Sequence, residues 1–114
     1  MPFIRITTNK SLSLKDKTDL KTGLGQLITT LHKTEDWLMI AFDNVESDSM
    51  YFKGSNEYSA IVEISVYGTI SKNDFDPMTR KTTDLLSRTI KINPDRIYIN
   101  YREVDHWGLG GSNF

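Results

Sequence analysis

Apolar and polar positions first alternate over residues 2–8 (PFIRITT), where Ile4 and Ile6 share one face. That pattern predicts a short strand. Residues 13–32 change period. Leu20, Leu24, Leu27, Ile28 and Leu31 fall on one stripe of a helix. Ser13 followed three residues later by Asp16 predicts a capping box with Asp in place of Glu. Gly23 and Gly25 interrupt this helix at about 1 kcal/mol each relative to Ala. Residues 37–43 (WLMIAFD) form a nearly unbroken apolar run, which suits a strand covered on both faces.

Residues 44–57 are polar and turn-rich, apart from Met50, Tyr51 and Phe52. Residues 58–67 (YSAIVEISVY) predict a second long strand that stops at Gly68. Asp76-Pro77 predicts a helix start, with Asp as N-cap and Pro as the first helical residue. Met78, Leu85, Leu86 and Ile90 continue at helical spacing, and Asn93-Pro94-Asp95 makes a turn. Residues 96–104 then alternate. Ile97, Ile99 and Tyr101 lie on one face, and Tyr98, Asn100 and Arg102 on the other. The glycine-rich tail 108–111 is a flexible or tightly turning segment.

Strand, helix, strand therefore occurs twice, with corresponding starts about sixty residues apart. The expected fold is α+β: a single domain over residues 1–114, made of two pseudo-repeated βαβ units. Right-handed crossovers make the strands of each unit parallel, and the four strands form a mixed sheet with both helices on one face. The other face is left bare. A second copy of the chain is the economical cover for it.

Composition narrows the function. The 114 residues carry 14 Lys+Arg against 15 Asp+Glu and no Cys. Near-neutrality argues against a general nucleic-acid or anionic-membrane binder. Without Cys there is no disulfide framework, thiolate metal site or CxxC redox pair. Hydrophobic residues make up 38%, with two alanines, a lean core that favours completing burial by oligomerisation. No run is long enough to span a membrane and no signal-peptide pattern opens the chain. The expected location is the cytoplasm, or outside the cell by export without a signal peptide.

Pro2 follows the initiator Met. If Met1 is removed, Pro2 presents a secondary amine, which is a base when neutral and a nucleophile toward carbonyls. Taken alone, a proline here reads as an accident of processing. Lys33 by itself reads as a charge at a helix C-terminus. Tyr98 and Asn100 could be ordinary strand residues, and Trp37 and Trp107 ordinary packing. His32 and His106 lack metal-ligand spacing and read as surface residues.

Together, Pro2, Thr8-Asn9, Lys33, Met50, Phe52-x-Gly54-Ser55, Gly68 and Asn93-Pro94-Asp95-Arg96-Ile97-Tyr98-Ile99-Asn100-Tyr101 resemble the macrophage migration inhibitory factor family of the tautomerase superfamily. The likeness runs end to end. It implies a homotrimer with active sites at subunit interfaces, and cofactor-free keto–enol tautomerisation of phenylpyruvate-type 2-oxo acids. It implies Pro2 as catalytic base and Lys33 as the anchor of the substrate carboxylate. The backbone at Tyr67 would help hold that carboxylate. Tyr98 and Asn100 of the neighbouring subunit would surround the aromatic end, Trp37 would form a wall, and Phe114 would lie near the mouth. No metal is implied.

Three departures stand out: Val66-Tyr67-Gly68 where relatives carry a SIG-like triplet, Leu109 in place of a second tail Trp, and Lys53 in place of a glycine. Tyr67 and Leu109 support an alternative reading, a cytokine-like protein with a protein receptor and an altered pocket. A sister reaction such as decarboxylation or dehalogenation would call for additional pocket arginines, and Arg5 is expected on the opposite face from Pro2.

Overall fold

A computed structural model describes all of residues 1–114. The chain runs β1 (Pro2–Thr8), α1 (Leu14–Leu27), β2 (Met39–Asn44), β3 (Ala60–Tyr67), α2 (Phe75–Ile90) and β4 (Ile97–Val104). It ends in a small hairpin, β5 (Gly108–Leu109) and β6 (Ser112–Asn113). The main sheet has the order β2-β1-β3-β4. β1 is parallel to β2, β3 is parallel to β4, and β1 and β3 are antiparallel. The two βαβ units and the mixed four-stranded sheet are thus as the sequence predicts.

Burial separates the two sheet faces. Ile4, Ile6, Val62, Ile64 and Val66 point toward the helices and are fully buried, with Leu20, Leu24 and Ile28 from the first helical segment and Met78 and Leu86 from α2. The opposite face carries Phe3, Arg5, Glu63, Ser65, Asn100 and Arg102, all partly or fully exposed. No helix covers it, because both helices pack on the other side.

Several boundaries move from their predicted places. The helix expected over 13–32 is α-helical only to Leu27. It tightens into a 3-10 turn over Ile28–Leu31, and His32 closes it in the left-handed conformation (φ 61°). The capping box forms: Ser13 Oγ accepts from the Asp16 amide and Asp16 Oδ2 from the Ser13 amide, both at 3.0 Å. The 37–43 run is not a strand covered on both faces. Trp37 belongs to a separate 3-10 turn (Glu35–Trp37), and β2 begins at Met39 as an edge strand with one face open. Asp76 does not cap α2. The helix starts two residues earlier than expected, at Phe75, with Asp74 at the cap position and Asp76 in the first turn. The tail is ordered into the β5–β6 hairpin, with Gly110 and Gly111 both at positive φ (62° and 94°), as a tight hairpin turn demands.

Gly23 and Gly25 acquire a reason. A Cβ on Gly23 would lie 2.5 Å from Leu85 Cδ1, and one on Gly25 2.0 Å from Glu35 Oε2. The first glycine lets α1 approach α2, and the second admits the turn that carries Trp37.

The long connection between β2 and β3 is organised by buried polar side chains. Asn9 Nδ2 donates to the carbonyls of Ser47 (3.2 Å) and Asn56 (3.0 Å), while its Oδ1 accepts from the Ser59 amide at 3.0 Å. Arg96 is 8% exposed. Its Nε donates to Tyr58 O (3.1 Å) and Ser59 Oγ (3.0 Å), and its Nη2 to the carbonyls of Phe52, Ser55 and Glu57 at 2.9–3.2 Å. No carboxylate is among these partners; the cation is held by carbonyls and a hydroxyl. Replacing Arg96 by Leu strands those acceptors. It should cost about 2–4 kcal/mol in urea unfolding, and a loss under about 0.5 kcal/mol would show that the loop holds itself.

Candidate active site

Pro2 is the first residue of β1, and it is buried. It faces Val66 across the antiparallel ladder. The register continues one step beyond: the Tyr67 amide donates to the Met1 carbonyl at 3.0 Å. The start of the chain is therefore held as part of the sheet. The Met1 amine is shifted below its ordinary value of 8.0, chiefly by partial burial and also by the charge of Lys33.

A cavity of about 440 Å³ opens beside Pro2. Its lining includes Pro2, Phe3, Trp37, Met39, Arg102 and Trp107, and seven of its eleven lining residues are hydrophobic. The strand register explains the floor. Phe3 pairs with Met39 on one side and Ser65 on the other, and Ser65 pairs with Arg102, so one row crosses all four strands on the bare face. Trp37, 58% exposed, forms a wall from the turn before β2, and Leu109 reaches in from the tail hairpin.

The residues expected at the site divide into groups. Pro2 and Trp37 meet in this cavity. Lys33 does not line it, yet its charge is felt at the terminal amine. It follows His32, whose Nε2 lies 3.1 Å from Asp74 Oδ2. Tyr67 and Phe114 pack together with ring centroids 5.9 Å apart, and the Phe114 amide donates to Trp107 O at 3.0 Å. Tyr98 and Asn100 lie on the bare face but away from Pro2 within one protomer. Tyr98 stands four residues before Arg102, about 13 Å along the strand. Its ring packs edge-on against Phe52 at 4.7 Å, beside a second, smaller cavity of about 140 Å³. Arg5 is exposed on the face opposite the buried Ile4 and Ile6.

The chain is matched over residues 1–114 by the family model described as macrophage migration inhibitory factor. It belongs to the macrophage migration inhibitory factor family. Its sequence is 29% identical to the macrophage migration inhibitory factor of Meriones unguiculatus, covering 100% of this chain and 99% of that protein. It is 28% identical to that of Mus musculus over the same shares. Among solved structures, MIF2 of Leishmania major superposes with a TM-score of 0.93 at 28% identity, covering 100% of this chain and 97% of that one.

Within this family member, the cavity floor contains residues that the sequence did not single out: Met39, Ser65 and Arg102. Only Arg102 left a trace, in its alternation with Tyr98 and Asn100. Trp107, read as packing, and Leu109, read as a lost ring, both line the cavity. No group of three or more His, Asp or Glu side chains is placed to hold a metal ion, and no helix is long and apolar enough to cross a membrane.

Replacing Lys33 by Ala should raise the pKa of the Met1 amine without restoring 8.0, because burial is the larger cause and stays. NMR titration of an isotopically labelled N-terminal residue reads this directly. An unchanged titration would remove Lys33 from the amine's surroundings.

Proposed function

We propose that this protein is a keto–enol tautomerase acting on phenylpyruvate-type 2-oxo acids as a homotrimer, with Pro2 as the catalytic base. The observation that carries the reading is the meeting of Pro2 and Trp37 in one apolar cavity, at a chain start whose amine is biased toward its neutral form. Removal of Met1 takes that amine away and makes the Pro2 nitrogen the chain terminus, at a position that the ladder with β3 already fixes. It also releases the Tyr67 amide from the Met1 carbonyl, leaving a backbone donor beside the new terminus.

The chemistry follows from a neutral secondary amine. Pro2 nitrogen removes a proton from carbon 3 of the 2-oxo acid. The C–H electron pair forms the C2–C3 double bond, the carbonyl π pair moves onto oxygen, and that oxygen takes the proton now carried by Pro2 to give the enol and the neutral amine. The reverse sequence returns the ketone. Lys33 and the freed Tyr67 amide hold the carboxylate, and Trp37 packs against the ring. Nothing is oxidised or reduced, so the step needs no redox cofactor.

Trimer formation is supported by the uncovered sheet face and by the separation of Tyr98 and Asn100 from Pro2 within one chain. Copies docked on that face can bring Tyr98 and Asn100 of one chain to Pro2 of another, with Phe114 near the mouth. A second reading, a cytokine-like protein that engages a protein receptor, is favoured by Tyr67. Its ring packs on Phe114, with ring centroids 5.9 Å apart.

Substituting Pro2 by Gly, with Met1 removed in both proteins, should lower kcat/KM for phenylpyruvate enol at least about 100-fold, the scale of a lost acid–base group. Undiminished turnover would sink the assignment of the base. Light scattering of the active wild-type protein should give three chains per particle, and a fully active monomer would contradict a shared site.

A further inference from the structure

Arg102 is the one charged side chain lining the cavity that contains Pro2. It forms no ion pair within the protomer: the ion pairs present are Lys15–Asp19 and Arg88–Asp84, and the one further close contact of this kind is His32 with Asp74. The carboxylate one row away on the same face, Glu63, stands opposite Arg5 in the β1–β3 ladder, not opposite Arg102. Arg102 instead pairs with Ser65, which carries no charge. Around it the cavity is apolar and aromatic, with Phe3, Trp37, Met39 and Trp107. An unpaired guanidinium on an apolar floor is a strong and directional anion receptor, because it presents a planar fork that matches a carboxylate.

Its position fixes which anion it can take. β1 and β4 are separated by β3, so the backbones at Phe3 and Arg102 lie about 10 Å apart across the sheet. Lys33 exerts its charge at the other end, on the amine of Met1. The cavity thus has cationic influence at the amine end and a cation across the floor, with aromatic walls between.

We propose that Arg102 determines specificity by binding a second acidic group. The preferred substrates are then dianionic 2-oxo acids, with an apolar or aromatic spacer between the 2-oxo carboxylate and a distal carboxylate. The inference rests on the tautomerase reading for the word substrate, but the binding it describes can be measured without turnover. Arg102 makes its contact at the end of the ligand remote from the reacting carbon. Its loss therefore weakens dianions selectively and leaves the chemistry of simple arylpyruvates in place.

The test compares phenylpyruvate with 4-carboxyphenylpyruvate, which differs only by the distal carboxylate. Affinities come from titration calorimetry on wild-type protein and Arg102→Gln, both with Met1 removed, and enol–ketone turnover is followed in parallel. In the variant, affinity for the dianion should fall about tenfold or more, while affinity for phenylpyruvate changes less than about threefold. Wild type should bind the dianion the more tightly of the two, with the advantage shrinking as salt is added. Equal weakening of both ligands, no weakening of the dianion, or failure of wild type to bind either ligand would each overturn the inference. Selective dianion binding without turnover would instead sink the tautomerase reading and leave the role of Arg102 intact. Thermal unfolding and particle mass of Arg102→Gln close to wild type separate a lost ligand contact from a lost fold or a lost subunit contact.

Discussion

The antiparallel ladder between β1 and β3 joins the two βαβ units into one sheet. Each unit alone is a pair of parallel strands with one helix, too little to close a core. Paired, their central strands place Ile4 and Ile6 beside Val62, Ile64 and Val66 in a continuous buried layer beneath both helices. The same ladder positions the chemistry. Because Pro2 pairs with Val66 and the Met1 carbonyl with the Tyr67 amide, the start of the chain has a fixed place at the edge of an apolar cavity. Chain starts often fray; here the site is built where fraying is suppressed.

Much of the fold was legible because its periods are clean. The alternation of β1 and β4 and the apolar stripe of the first helical segment survive translation into structure almost residue for residue. What failed to show shares one cause: it depends on partners far along the chain. The turn at Glu35–Trp37 broke an apolar run that local pattern alone reads as strand. Gly23 and Gly25 look like flaws until Leu85 and Glu35 are in place. The connection between β2 and β3 looks like a solvated loop because Arg96 and Asn9, about forty residues away on either side, supply its order.

The residues of the candidate site divide along the same line. Pro2, Lys33 and Trp37 could be named because each is an unusual residue in its local setting or matches a family position. Met39, Ser65 and Arg102 could not, since only the cross-strand register aligns them in one row with Phe3. Tyr98 and Asn100 were visible as a pair on one face, yet one chain alone does not bring them to Pro2. In the proposed trimer the site is distributed over more than one copy. The proposed trimer accounts for the lean core as well, since part of the burial would then lie between chains.

Tyr67 stands at a meeting point. Its backbone amide holds the Met1 carbonyl and its ring holds the Phe114 ring, so residues 1 and 114 both meet Tyr67. A short peptide linking Phe114 to Met1 would close the chain into a ring with little change to the sheet. New ends could then be opened elsewhere, as in a circular permutant. Such a molecule would keep the architecture and lose the free amine. The shape of this protein does not require an end at Pro2. The chemistry proposed for it does.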